Sequence, residues 1–291
     1  MDGIIVVNKS KGCTSHDIVY KAKKMFNEKV GHTGTLDPMA EGVLPILVGK
    51  GTLMSKYLIN HDKKYVVKLQ LGIKTNTADS EGKTIEEQPV NIELLEKENI
   101  INILKSFIGK QEQIPPIYSA IKVNGKKLYE YARKGQEVEL KPRQIEIYDV
   151  NLIAYSVEKK QIEFEVFCGK GTYIRSLCED VAAKFGTVGY MMALKRIQVG
   201  DFKIENSVTV EELDKIKDNE EFIKDKFISV EDVFKDKMII NLDDRKLQLF
   251  LNGVRITQNY DDGIYRIYNS NNKFVGIGIV ENKLLKRDII L

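Results

Sequence analysis

Residues 31–44 read Gly31-His32-Thr33-Gly34-Thr35-Leu36-Asp37-Pro38-Met39-Ala40-Glu41-Gly42-Val43-Leu44. Gly31 and Gly34 permit backbone angles closed to other residues. Pro38 pushes Asp37 out of the helical region into an extended or turn conformation. On spacing alone, Asp37 suits an N-cap, with Pro38 as the first helical residue and Glu41 favoured by the helix dipole. The loop also holds an acid, a histidine and two threonines between His32 and Asp37, more chemistry than a cap requires.

Upstream, residues 3–8 read as a mostly buried strand. Thr14 or Ser15 caps a helix reaching Asn27, with Ile18, Val19, Ala22 and Met25 as its apolar stripe. Downstream come an apolar run over 43–48, a helix over 53–59 and a strand over 65–71 that puts Tyr65, Val67 and Leu69 on one face. A turn-rich segment spans 75–82. A helix is predicted over 92–108, a short basic helix around 127–134, and an antiparallel pair of strands near 137–154 and 161–168. A further helix covers 173–185. The acidic stretch 201–232 reads as a connector with short helices. From Met238 the texture changes to short strands at 263–268, 273–280 and 283–291, the rhythm of a small β-barrel-like unit. The class is α+β with a C-terminal β module.

At 291 residues the chain accommodates one large catalytic domain and a small appended one. No apolar run is long enough to span a membrane, and the N-terminus lacks a signal peptide's basic start and cleavage site. Cys13, Cys168 and Cys178 are widely spaced and form no CxxC pair, which argues against a disulfide framework and for a reducing cytoplasm. Net charge is only +3. Residues 120–145, however, carry seven basic against three acidic side chains, so a polyanion can orient on the molecule.

Cofactor signatures fail. Gly49-Lys50-Gly51-Thr52 and Gly169-Lys170-Gly171-Thr172 lack the spacing of a phosphate loop, and no GxGxxG or GxSxG occurs. His16, His32 and His61 are scattered, so no metal centre is expected. What remains is cofactor-free chemistry by carboxylate, arginine and tyrosine.

Residues 31–44 resemble the GHxGTLDPxAxGvL signature of the TruB family of tRNA pseudouridine-55 synthases. Further blocks follow in that family's order. They are Asp2-Gly3-Ile4-Ile5-Val6-Val7-Asn8-Lys9 with Gly12-Cys13-Thr14-Ser15, then Lys64-Tyr65 leading to Leu71-Gly72 and residues 75–82. Next are Gln113-Ile114-Pro115-Pro116-Ile117-Tyr118-Ser119-Ala120-Ile121-Lys122, Tyr129-Glu130-Tyr131-Ala132-Arg133, and Lys170-Gly171-Thr172-Tyr173-Ile174-Arg175. The resemblance covers about the first 200 residues. It implies a pseudouridine-synthase-like catalytic domain over 1–230, with a mixed or antiparallel sheet, flanking helices and an RNA-binding thumb at 112–135. A shorter likeness around Leu251-Asn252-Gly253 and 274–278 implies a PUA-like RNA-binding domain over 236–291.

The resemblance also implies roles. Asp37 is the essential nucleophile or base, Arg175 holds it charged and oriented, and Tyr65 lies against the flipped uracil. His32 stacks within the rearranged T-loop, Asp79 anchors the site, and Lys9 lies close enough to touch phosphate. Lys122, Lys126, Lys127 and Arg133 in the thumb, together with Tyr173, contact RNA. The implied substrate is the T-arm of tRNA, the chain acts as a monomer without a protein partner, and no cofactor is needed because the reaction is an isomerisation. Two departures stand out. Ser10 replaces the usual proline after Lys9, and residues 190–196 lack the family's histidine and carry Lys195 for an arginine, which puts RNA contacts there in question. A guide-dependent synthase subunit and a non-catalytic tRNA-folding chaperone are the alternative readings.

Overall fold

The computed structural model describes residues 1–119, 121–136, 138–215 and 225–291. Among these an eleven-stranded sheet forms the frame. Its main path runs Val208–Thr209, Gly3–Lys9, Glu41–Val48, Gly189–Val199, Lys63–Leu71, Gln161–Cys168, Arg143–Ser156, Gly109–Gln113. Most neighbours on this path are antiparallel. The exceptions are the parallel pairings of Gly3–Lys9 with Val208–Thr209 and of Glu41–Val48 with Gly189–Val199.

The strand Lys63–Leu71 lies mid-sheet and alternates cleanly, burying Tyr65, Val67 and Leu69. That face packs under Leu177 and Val181 of the helix Ile174–Lys184 and Ile100 and Leu104 of the helix Lys97–Lys105. Each buried aliphatic side chain contributes roughly 1.5–3 kcal/mol, so the wall that carries Tyr65 is rigid. A second core joins Ile5, Val7, Leu44 and Ile46 to Ile18 and Ala22 of the helix Ser15–Phe26. That helix starts on a complete Thr14/Asp17 capping box and stops at left-handed Asn27.

The C-terminal residues form a separate five-stranded sheet, ordered Ile239–Asn241, Gly263–Tyr268, Phe274–Glu281, Leu284–Ile290, Ile256–Thr257. It packs Ile277 and Ile289 against Ile4, Val6 and Leu47 of the large sheet. Asp288 accepts hydrogen bonds from Lys56 and Tyr57 across the same junction.

Several expectations need correction. Residues after Asp37 do not form a helix: Ala40 N–H closes a turn on Asp37 O at 3.0 Å, and the chain enters the strand Glu41–Val48. The apolar run beyond Gly42 is better satisfied by burial on both strand faces than by one helical stripe. The helix expected over 92–108 is split into a 3₁₀ turn, Ile92–Leu95, and the helix Lys97–Lys105. Asn91 caps the first piece, and Asn99 Nδ2 donates to Leu94 O at 2.7 Å, so amide side chains interrupt the ladder. The long strand begins at Arg143 rather than near 137. An unforeseen helix, Asp244–Leu251, is capped by Asp243 and buries Phe250. The acidic connector contains short helices at Val210–Lys215 and Val230–Val233, while its 216–224 portion lies outside the described residues.

Gly42 shows why the loop motif ends in glycine. Its φ is +111°, and an added Cβ would sit 2.1 Å from the Arg196 carbonyl oxygen on the adjacent strand. Gly42→Ala is expected to destabilise the fold by about 2–5 kcal/mol, backbone strain and overpacking combined. An unchanged thermal midpoint would contradict this.

Candidate active site

Asp37 is presented by a turn tied down from below. Ser15 Oγ accepts Leu36 N–H at 2.8 Å, Gly12 N–H donates to Pro38 O at 2.9 Å, and Lys9 Nζ donates to Pro38 O at 3.4 Å. Lys9 is fully buried and also donates to Cys13 O at 2.6 Å and Ser10 O at 3.0 Å. Its three protons are therefore spent on carbonyls. The structure places Lys9 under the loop as a brace and not where it can reach phosphate.

Arg175, in the first turn of the helix Ile174–Lys184, is buried and faces two carboxylates. Its Nε lies 3.2 Å from Asp37 Oδ2, and its Nη1 lies 3.6 Å from Asp79 Oδ2. The same guanidinium donates to Tyr118 O at 2.9 Å and Thr77 O at 3.3 Å, so a planar fork is fixed on four sides. Asp79 is held in turn by Thr77 Oγ1 at 2.6 Å and Glu81 N–H at 3.1 Å, following Ala78 at φ +60°. It is thus both an Asx-type turn and the second anchor of Arg175.

Asp37 keeps a third of its side-chain surface open. Burial of the surrounding loop raises its pKa above the ordinary carboxylate value. Arg175 pulls in the opposite direction, Asp79 adds to the rise, and Lys9 opposes it. Burial pushes the Tyr65 phenol up to about 12, against the pull of Arg196. His32 is half-buried, accepts Gly34 N–H on Nδ1 at 3.2 Å, and has its pKa lowered by burial and by Arg196. A neutral ring that can stack is the result, but it stands outside the cavity wall.

Asp37, Tyr65, Tyr173 and Arg175 line one cavity of about 500 Å³, with Thr33, Lys63, Tyr118, Ser119 and Tyr129 among its other walls. Tyr173 is locked by a mutual pair of bonds to the Gln113 amide, at 2.9 and 3.1 Å. Thr33 Oγ1 and Ser119 Oγ are buried in that wall with no partner among the described residues. A ligand's polar edge that reached them would satisfy both. A cavity of about 510 Å³ between the helix Lys97–Lys105 and the strand Arg143–Ser156 contains no carboxylate or arginine, so the chemistry belongs to the first.

The thumb forms a hairpin, Lys122–Val123 with Lys126–Lys127, followed by the helix Leu128–Arg133. Lys122 and Lys126 are exposed. Lys127 and Arg133 lie over the Tyr129 ring, at 5.4 and 5.3 Å from its centroid. Sequence reasoning did not assign Tyr129, Ser119, Ser15 or Arg196. For Arg196 the signal was available: it shares the phase of Leu194 on a strand with a buried face.

Comparison with known proteins decides the family. The profile of the TruB family pseudouridylate synthase N-terminal domain matches residues 22–174. This chain belongs to the TruB family. Two TruB C-terminal profiles match residues 175–243 and 239–286. Among curated TruB relatives, tRNA pseudouridine synthase B of Clostridium kluyveri is 43% identical over 286 residues, covering 96% of both chains. That of Caldanaerobacter subterraneus subsp. tengcongensis is 42% identical over 289 residues, covering 98% of both. The TruB fold is also seen in a solved H/ACA ribonucleoprotein bound to a substrate RNA containing 2'-deoxyuridine (TM-score 0.70, 21% identity, 99% of this chain and 85% of that one). A Cbf5-Nop10-Gar1 complex gives a TM-score of 0.69 at 24% identity, over 99% of this chain and 83% of that one. At these identities the two structures speak for the fold alone.

Proposed function

We propose that the chain isomerises uridine-55 in the T-loop of tRNA to pseudouridine, acting alone as a cytoplasmic monomer. The observation that carries this reading is the Arg175 fork shared by Asp37 and Asp79 beside Tyr65 in one cavity. The full-length relatives named tRNA pseudouridine synthase B support the substrate and favour a stand-alone enzyme over a guide-dependent subunit. The intact acid and its counter-charge favour an enzyme over a chaperone. Residues 1–230 carry the chemistry, 112–135 act as the thumb, and 236–291 serve as a PUA-like RNA-binding domain.

A uridine in a folded loop exposes its glycosidic bond only when flipped out, at a few kcal/mol. Stacking against the tyrosines of the cavity, each base–aromatic contact being worth about 1–3 kcal/mol, offsets that. Ionised Asp37 meets the ribose–uracil junction. The N1–C1′ bond breaks, the base turns, C5 bonds to C1′, C5 loses its proton and N1 gains one. Atoms and charge balance without an external reagent.

The reaction is tested with tRNA tritiated at uridine C5. We expect one equivalent of tritium released to water per tRNA, whereas tight binding with no release would sink the stand-alone enzyme and leave the guide-dependent and chaperone readings. The thumb's share is electrostatic. The double substitution Lys122→Ala, Lys126→Ala is expected to make the plot of log affinity against log salt shallower by about 1.5, from two lost phosphate contacts. Titrations at several salt concentrations check it, and an unaltered slope would remove these lysines from the interface.

A further inference from the structure

The turn Gly169-Lys170-Gly171-Thr172 lacks a phosphate loop's spacing, yet the fold sets it in the wall of the cavity that holds Asp37. Cys168, the last residue of its strand, pairs with Lys63, the first residue of the neighbouring one. Lys63 and Lys170 therefore reach the same end of the sheet, and both line the cavity. Gly171 turns the chain at φ +81° with open space around it, and Thr172 Oγ1 donates to Gly169 O at 3.1 Å. The chain then runs through Tyr173 into the helix that carries Arg175.

Neither lysine has an acidic partner. Lys170 Nζ donates to Asn60 Oδ1 at 2.9 Å, and Lys63 Nζ donates to His61 O. Among the described residues no carboxylate forms an ion pair with either. Nearby Asp62 accepts the Tyr148 hydroxyl instead, at 3.2 Å. A third cation adds to the excess: Arg196 is fully buried, and its Nη1 and Lys63 Cε both flank Gly34. Lys63 itself is half-buried, and burial together with Arg196 lowers its pKa, against the pull of Cys168 and Asp62. Confining cations on neutral acceptors leaves positive charge unbalanced and ammonium protons unused. A phosphate supplies both the charge and the oxygens.

We propose that Lys63 and Lys170 form a seat for a phosphate flanking the flipped uridine, holding that nucleotide's backbone while its base occupies the cavity. This rests on the function proposed above. The seat differs in kind from the thumb lysines, which attract backbone in general. It grips the nucleotide that reacts, and the segment that carries Lys170 also places Arg175.

The test uses synthetic T-arm stem-loops in which one phosphate, on the 5′ or the 3′ side of the target uridine, is an uncharged methylphosphonate. Dissociation constants are measured at fixed salt for wild type, Lys170→Ala and Lys63→Met with each stem-loop. We expect each substitution to weaken binding of the unmodified stem-loop about tenfold, the scale of a hydrogen bond to a charged group. Methylphosphonate at one of the two positions should do the same to wild type. On that stem-loop the variants should bind within about twofold of wild type, because the interaction is already gone. Lys170→Arg should restore binding to the unmodified stem-loop. Losses that add at both positions, or lysine variants that bind the unmodified stem-loop like wild type, would overturn the proposal. A lysine that only supported the fold would weaken every stem-loop alike. If Lys63→Met does not fold, Lys170→Ala, at an exposed side chain, carries the comparison. Tritium release from the unmodified stem-loop is read alongside. Losses that fail to add, with no release by wild type, would uphold the seat and count against the proposed isomerisation.

Discussion

Asp37→Asn is expected to abolish pseudouridine formation, lowering the single-turnover rate by roughly 10⁴-fold or more, while tRNA affinity stays near that of wild type. The amide has nearly the shape of the carboxylate and keeps an acceptor for Arg175, so the loop should hold its turn. What is lost is the negative charge that Arg175 keeps at the cavity wall. The stability outcome has the opposite sign. Burial raises the pKa of Asp37 in the folded protein, so its contribution to stability is present at low pH and lost as pH rises through that value. At neutral pH the fold carries the ionised group at a cost. Asp37→Asn should therefore melt no lower than wild type at pH 7. Loss of activity accompanied by a lower melting point would mean that the residue is structural.

Arg175→Met should be nearly as damaging to turnover, about 10³-fold, for a different reason. Without the guanidinium, Asp37 and Asp79 face each other across the space it filled, with the Thr77 and Tyr118 carbonyls unpaired. Removing one partner of a buried pair destabilises by about 3–5 kcal/mol. Arg175 is also what holds the Asp37 pKa down against burial. In the variant that pKa rises further, so the acidic limb of the residual rate profile moves to higher pH. Arg175→Lys keeps a charge but cannot span both carboxylates as a fork, and should fall between the two. A pH–rate profile of the three proteins checks this; an acidic limb unmoved in Arg175→Met would remove the counter-charge role.

The parts legible in the sequence were those with local causes. The helix Ser15–Phe26 was readable from its capping residues, and the strand Lys63–Leu71 from its alternation. The three long C-terminal strands were readable from their turns. Asp37, Tyr65 and Arg175 could be nominated from the motif order, and all three line one cavity. The misreadings came from contacts distant in the chain. The Asp37-Pro38 pair reads as a helix start, and only strand pairing with Gly3–Lys9 and Gly189–Val199 makes the following residues extended. Ser15 resembles a cap, yet Thr14 is the cap and the Ser15 hydroxyl holds Leu36 instead. Lys9 looked free to meet phosphate because nothing nearby in sequence predicts its burial under Pro38. The helix Asp244–Leu251 had a readable signal in Asp243 and in the spacing of Leu247, Phe250 and Leu251, but the surrounding strands outweighed it.

The central claim, that this chain alone converts one T-loop uridine, is tested most directly by mapping. Purified protein is incubated with unmodified tRNA transcript, without metal or nucleotide, and pseudouridine is located by carbodiimide-blocked primer extension. We expect a single new stop at uridine-55, absent when Asp37→Asn replaces wild type. No stop despite tight tRNA binding, or a stop that persists with Asp37→Asn, would contradict it.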